Sequence, residues 1–182
     1  MSDYITTYSK VHFTPLEPDI SQIRIEDIAH ALSLMTRANG HFKEFYSVCQ
    51  HSIGCCLEAK ERGYSDRVSL ACLLHDGSEA YLADITRPVK KNLDGYLQIE
   101  EVLQNVIYKR FLGSLPTEEE LLQIKSVDDS MLCHEFLHYM GENLFDTMLH
   151  LEREPEFVMQ PFSDMENKFL ELFHELYQDE VY

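Results

Sequence analysis

A histidine and an aspartate stand next to each other in the stretch LLHDGSEAYLADI (73–85), directly after an apolar run. The run predicts a core helix from whose end His75 and Asp76 emerge, with Glu79 one turn further along the same face. Imidazole and carboxylate groups together suit Mn²⁺, Co²⁺, Fe²⁺ or Zn²⁺. One helix does not supply enough ligands, and His51 and Asp128 on two other predicted helices are the best additional candidates. Taken alone, the dipeptide is weak evidence and is also compatible with a solvated helix end.

The order of these residues resembles the H…HD…D signature of the HD-domain phosphohydrolase superfamily. Three segments carry a closer likeness to a bacterial branch of it that includes 5′-deoxynucleotidases: IRIEDIAHALSLMTRANGH (23–41), YSVCQHS (46–52) and LLHDGSEAYLADITRPVK (73–90). The likeness covers roughly residues 23–140. It implies an irregular helical bundle of the HD-domain type that binds one divalent ion, which could be Mn, Co, Fe, Zn, Ni or Mg.

The resemblance also assigns a role to individual residues. The metal ligands would be His51, His75, Asp76 and Asp128. Asp128 is preferred to Asp129 because it precedes Glu135 by seven residues, as in the final motif of the family, and Glu135 would support the metal site. Glu79 would position or deprotonate the attacking water, and Asp84 would hold the leaving oxygen or a sugar hydroxyl. The substrate would be bound by Arg37, His41 and Lys90.

The activity implied by this resemblance is release of phosphate from nucleoside or deoxynucleoside 5′-monophosphates. One alternative is hydrolysis of another phosphoester, such as a nucleoside triphosphate or an alarmone. Another is a non-catalytic HD protein that binds a nucleotide, although such a protein has no need of Glu79. The segment TRAN (36–39) lacks the aromatic residue that often follows the arginine in this family, which leaves the contact to the base open.

A second motif, HEFLH (134–138), matches the H-E-x-x-H signature of zinc peptidases. In that chemistry His134 and His138 would bind the ion and Glu135 would act as the base. The longer form of the motif requires histidine at position 144, where this chain has leucine. The peptidase hypothesis explains five residues, whereas the HD hypothesis explains three separated segments.

Composition limits the partners of the protein. The 182 residues carry a formal net charge of −17, and such a surface repels the backbone of a nucleic acid polymer. A small phosphorylated substrate remains compatible, because a bound cation can reverse the local field. The five cysteines form an odd set without a CxxC pair, and we expect a reducing, cytoplasmic location without a signal peptide or membrane span. A homodimer is also compatible with the sequence.

The sequence predicts that helices carry these residues, because apolar residues recur at helical intervals and no segment shows the sustained alternation of a strand. We predict an all-α single domain with an extended arm (1–22), a core (23–140) and a C-terminal helix at about 163–180. The first helix should run through Met35 to just before Gly40. Capping boxes are predicted at Thr117 with Glu120 and at Ser163 with Glu166. Residues 141–162 would form a long connection.

Overall fold

A computed structural model describes residues 3–177 and shows a mainly helical protein. Seven helices make up the described part: α1 (Ile25–Leu34), α2 (Val48–Glu61), α3 (Asp66–Leu74), α4 (Arg87–Lys90), α5 (Tyr96–Leu112), α6 (Glu118–Met140) and α7 (Phe162–Leu176). The all-α expectation is confirmed at this level. No helix within residues 3–177 is both long and apolar enough to cross a membrane.

The N-terminal arm contains the one sheet of the described residues. Strands β1 (Ile5–Thr6) and β2 (His12–Phe13) pair antiparallel, with Ile5 opposite Phe13. The hairpin is tied to α1 by Asp27, whose two carboxylate oxygens accept from the backbone N–H and the hydroxyl of Ser9 at 2.6 and 2.8 Å. Phe13 is fully buried, so the arm contributes a core side chain as well as lying on the body.

Helix α1 ends at Leu34, six residues before Gly40, so the predicted longer helix was wrong. Residues after it are extended, because the backbone of Thr36 pairs with that of Ser47 and the amide of Val48 donates to Met35 at 2.9 Å. This tertiary pairing competes successfully with a sequence that is locally compatible with a helix. Arg37 therefore lies in a short loop, followed by two non-glycine residues, Ala38 and Asn39, both at φ 51°.

Helices α2 and α3 lie against each other at the centre of the fold and are capped by serines. Ser47 Oγ accepts from the amide of Gln50, and Ser65 Oγ accepts from that of Val68, as expected for helix N-termini. Helix α3 ends at Leu74, and the chain continues through a 3-10 turn at Gly77–Ala80. His75, Asp76 and Glu79 thus do not share one helix face; they lie on a turn that follows the helix.

The two predicted capping boxes have different outcomes. Thr117 and Glu120 form the expected box at the start of α6. At α7 no box exists, because Glu166 binds His30 at 3.0 Å and Ser163 contacts Asp164, so the prediction there was wrong. Helix α7 packs Phe169, Phe173 and Leu176 into the core and ends at Leu176, with residue 177 extended. The predicted continuation over 178–180 lies outside the described residues.

Between α6 and α7, residues 141–161 contain no helix or strand, as the predicted long connection requires. This connecting segment is fastened to α2 by the fully buried Glu58. Its carboxylate accepts from the amides of Glu152 and Arg153, each at 3.0 Å, and from Arg62 Nε at 2.7 Å. Arg62 in turn donates to the carbonyl of His150 at 3.0 Å. The connection is therefore held by a buried ion pair and not by secondary structure of its own.

Candidate metal centre

The four predicted metal ligands lie together although they come from three separate parts of the chain. His51 is in the first turn of α2, His75 and Asp76 follow α3, and Asp128 is on α6. The Nε2 atoms of the two histidines are 3.2 Å apart. Asp128 Oδ1 lies 3.3 Å from Nε2 of His51 and 3.8 Å from that of His75. Asp76 Oδ2 lies 3.7 Å from Nε2 of His51, and Asp76 Oδ1 lies 3.4 Å from Nε2 of His75.

The opposite nitrogen of each imidazole is held by a group that only accepts hydrogen bonds. His51 Nδ1 is 2.6 Å from Glu135 Oε1, and His75 Nδ1 is 2.7 Å from the carbonyl oxygen of Cys72. Both Nδ1 atoms must therefore carry the proton and donate, which leaves both Nε2 lone pairs directed at one another. Such a contact is favourable only with a proton or a metal cation between the two nitrogens. Carboxylate and carbonyl partners of this kind are typical of histidines that bind metals.

The charges around the cluster favour a positive species at its centre. Burial opposes the charged form of His51 and of His75, yet the neighbouring carboxylates raise the pKa of both imidazoles above the usual range. Burial by itself would raise the pKa of Glu135, but His51 and Arg37 bring it down to about 2. Asp128 is likewise ionised, since the hydrogen bonds of the two histidines outweigh burial and hold its pKa well below the ordinary value. A metal ion that binds there would displace any proton held at the two Nε2 atoms.

Cys55 is a fifth donor that the sequence interpretation did not select. Its Sγ lies 3.6 Å from His51 Nε2, and the donor atoms of His51, Cys55 and His75 are all within 4.8 Å of one another. These three form a possible metal-binding group within the described residues. The signal was present in the sequence, because Cys55 follows His51 by one helical turn, but a cysteine within an apolar helical pattern is also typical of a small core residue.

Arg37 links Asp76 of the cluster to the buried Glu135. Its guanidinium lies 3.4 Å from Asp76 Oδ2 through NH1 and 3.4 Å from Glu135 Oε2 through NH2. The side chain is 12% exposed, and although burial opposes its charge, the surrounding carboxylates raise its pKa well above the ordinary value. Glu135, fully buried, therefore connects Arg37 to His51. It lies beside the predicted ligands, where the resemblance implied a supporting residue.

The remaining predicted site residues line one cavity of about 770 Å³ that opens beside the cluster. Its polar end contains Arg37, His41, Asp76, Glu79, Asp84, Lys90 and Asp128. Its apolar wall includes Phe42, Leu132, Phe136, Met140, Leu144 and Phe145. A volume of this order suits a small organic molecule, and the division into a charged end and an apolar wall suits an amphipathic one.

Glu79 stands out among the carboxylates of the cavity. Its Oε2 atom is buried and has no hydrogen-bond partner within residues 3–177, and its other oxygen lies 3.8 Å from Lys90 Nζ. Burial, reinforced by the charges of Asp76 and Asp84, raises the pKa of Glu79 well above the ordinary value. Burial also raises the pKa of Asp84, against the opposing effect of Arg37. Both carboxyl groups are therefore able to take up and give back a proton.

Arg87, at the start of α4, is a further residue that the sequence interpretation missed. Its NH2 group donates to Asp128 Oδ2 at 2.9 Å, the oxygen turned away from the histidines, and its NH1 group is 3.4 Å from Asp129. Helix α4 buries none of its residues, so these ion pairs and the 2.5 Å contact of Lys90 with Glu100 hold it beside the cavity. Nothing local in RPVKK indicates that this arginine meets a helix some forty positions later.

The residues of the HEFLH motif are directed to three different environments. Nε2 of His134 binds the carbonyl oxygen of Leu149 at 2.8 Å, and the ring of His138 packs on Phe157 at 4.9 Å between centroids. Glu135 belongs to the cluster around His51. The pattern in the sequence therefore does not correspond to a pair of histidines that face one ion.

Comparison with known proteins gives relatives without an assigned activity. No protein-family model matches the chain. It is 35% identical over 108 residues to the uncharacterised protein YfdR of Escherichia coli strain K12, which covers 59% of this chain and 58% of the relative. It is 37% identical over 101 residues to an uncharacterised protein of Rhodobacter capsulatus, covering 53% of the chain and 52% of that protein. The chain thus spans little more than half the length of the curated relatives it matches.

Proposed function

We propose that this chain is a metal-dependent phosphohydrolase of the HD-domain type that releases phosphate from nucleoside or deoxynucleoside 5′-monophosphates. The observation that carries the proposal is the pair of imidazole nitrogens 3.2 Å apart, both of whose opposite nitrogens are held as donors. A site built in this way has two free lone pairs and ionised carboxylates at one point, which is the chemistry of a divalent metal site.

The residues present fit such an ion. His51, His75, Asp76 and Asp128 would hold it, and an ion with these four ligands could still bind a water molecule or an oxygen of the substrate. The cation supplies the Lewis acidity that lowers the pKa of water and offsets the negative charge of the phosphoryl group. Asp76 and Asp128 line the cavity of about 770 Å³, through which a substrate would reach the ion.

Glu79 is suited to take the proton of the attacking water. The oxygen of that water bonds to phosphorus, the ester bond to the nucleoside breaks, and the proton passes to the carboxylate. The buried Oε2 atom without a partner in the described chain is the accepting atom, and the raised pKa of Glu79 makes it a stronger base than an exposed carboxylate. Asp84 lies in the same cavity, where it would hold the leaving oxygen and return a proton to it.

Cationic groups at the polar end of the cavity are suited to bind the phosphate. Arg37 presents a planar guanidinium there, and Lys90 a point charge, while His41 lines the same end. The distance of 3.4 Å between Arg37 and each of its carboxylates is longer than a strong charged hydrogen bond, so the guanidinium is available to a better partner. The apolar wall with Phe42, Phe136 and Phe145 gives the nucleoside a surface to pack on.

The proposal is tested by measuring phosphate release from a panel of ribo- and deoxyribonucleoside 5′-monophosphates with Mn²⁺, Co²⁺, Zn²⁺ and Mg²⁺. We expect metal-dependent turnover that is lost on chelation and restored by adding the ion back. Glu79→Gln should bind the ion like the wild type but lose turnover by at least about a hundredfold, the lower range for a general base. Asp76→Asn should weaken ion binding and turnover together.

The matched control is Glu101→Gln, an exposed glutamate on α5 that carries the same change of charge. It should retain the activity of the wild type. Turnover by Glu79→Gln at the rate of this control would remove Glu79 from the role of base. Stoichiometric ion binding without turnover of any phosphoester in the panel, a triphosphate included, would instead favour a nucleotide-binding protein.

A further inference from the structure

A cysteine sulfur lies beside the two facing imidazole nitrogens. Cys55 is 1% exposed and follows His51 by one turn on α2, so that its Sγ lies 3.6 Å from His51 Nε2. All five cysteines are in the described part of the chain, and Cys55 alone among them belongs to the group of donor atoms within 4.8 Å. Cys49, by contrast, directs its thiol to the carbonyl of Met165 at 3.4 Å.

The distances from His51 Nε2 to its neighbouring donors suit ligands of one small ion. Zinc bonds of about 2.3 Å to sulfur and about 2.1 Å to nitrogen, at tetrahedral angles, separate sulfur and nitrogen by about 3.6 Å and two nitrogens by about 3.4 Å. The corresponding distances here are 3.6 Å from Cys55 to His51 and 3.2 Å from His51 to His75. Asp128 Oδ1 lies 3.3 Å from the same His51 nitrogen and 3.8 Å from that of His75, so Cys55 joins the donors that hold the ion in the proposed function.

We propose that Cys55 is a ligand of this metal centre and that its sulfur makes the centre selective for Zn²⁺ over Mg²⁺ and Mn²⁺. The inference rests on the metal centre of the proposed function, to which it adds a ligand. Imidazole and carboxylate donors accept the whole series of divalent ions, whereas a thiolate favours zinc and disfavours the hard cations. As the sulfur–metal bond forms, the thiol proton leaves to solvent.

The test is the absorption spectrum of the chelator-stripped protein titrated with Co²⁺, which replaces Zn²⁺ and reports sulfur ligands through a charge-transfer band in the near ultraviolet. We expect this band in the wild type with one equivalent of Co²⁺. Cys55→Ala should lose it, while Cys56→Ala, a matched control at the adjacent and equally buried position, should keep it. Competition titrations should show that Cys55→Ala lowers Zn²⁺ affinity at least about tenfold, the least that loss of a supporting residue costs. Its affinity for Mn²⁺ should stay within a factor of about three, since manganese gains little from sulfur.

The outcomes separate this inference from the proposed function. Stoichiometric Co²⁺ binding by the wild type without a charge-transfer band overturns the role of Cys55 and leaves the histidine and aspartate centre intact. No binding of Co²⁺ or Zn²⁺ by the wild type overturns both. Because the wild-type spectrum is decisive by itself, the test does not depend on whether Cys55→Ala folds, which circular dichroism will report.

Discussion

Glu135 offers the sharpest test of whether the two facing nitrogens bind a metal. It is fully buried, and one of its oxygens accepts from His51 Nδ1 at 2.6 Å and the other from Arg37 at 3.4 Å, while Tyr46 donates a further hydrogen bond to the carboxylate. A glutamine at this position offers one acceptor oxygen and one donor group, so it cannot replace the separate contacts to His51 and Arg37. Alanine satisfies neither. We therefore expect metal affinity to fall from wild type to Glu135→Gln and again to Glu135→Ala.

The size of the effect follows from the role of Glu135 in the cluster. A lost partner behind a ligating histidine costs roughly 10- to 100-fold in metal affinity, which is about 1.4–2.8 kcal/mol. Glu135→Gln should lie at the lower end of this range and Glu135→Ala at the upper end. Stability should fall as well, because Arg37 keeps only Asp76 as a close partner. Breaking a buried pair in this way costs about 3–5 kcal/mol for the alanine variant.

Isothermal titration of the stripped protein with Mn²⁺ or Co²⁺ gives the affinities, and urea unfolding without metal gives the stabilities. Glu119→Gln is the matched control, since it removes the same charge from an exposed position of α6. Metal affinities of both Glu135 variants within a factor of about two of this control would contradict the prediction. That result would mean that the Nδ1 contact of His51 does not prepare its Nε2 atom as a ligand.

Three further predictions concern the surroundings of the centre. Glu58→Ala removes the acceptor of Arg62 and of two backbone amides, so urea unfolding should show a loss of about 3–5 kcal/mol, with no such loss in the exposed control Glu61→Ala. Arg87→Ala should weaken metal binding no more than about fivefold, because a half-exposed arginine stabilises Asp128 by less than about 1 kcal/mol; a larger loss in the titration would assign it a stronger role. His138→Ala should leave metal content unchanged in elemental analysis, and loss of the metal there would favour the peptidase hypothesis.

Local signals in the sequence were reliable where the structure they describe is itself local. The capping box of α6 depends on Thr117 and Glu120 alone, and both residues behave as predicted. At α7 the same type of pattern failed, because Glu166 has a better partner in His30, which lies on another helix. The early end of α1 has a similar origin, since it depends on the backbone pairing of Thr36 with Ser47, eleven residues further on.

The sequence identified several residues of the candidate site but not their arrangement. The resemblance selected His51 and Asp128, and the structure brings both to His75. It did not select Cys55, because the family pattern has no position for it. Arg87 meets Asp128 only through the folding of α4 over the cavity, which no spacing within α4 could indicate. In both cases the local sequence does not show which residues the side chain contacts in the folded protein.

The donors of the centre belong to segments that are far apart in the chain, from position 51 to position 128. They form a set only in the folded protein, so a cation held by them would bind the native state and not the unfolded one. Its free concentration would then be a determinant of stability, worth about 2.7 kcal/mol at a hundred times the dissociation constant. Proteolysis follows the population of opened molecules, so a cell poor in such an ion would degrade this protein faster than a cell rich in it. The abundance of the protein would thereby follow the supply of the metal that the proposed activity requires.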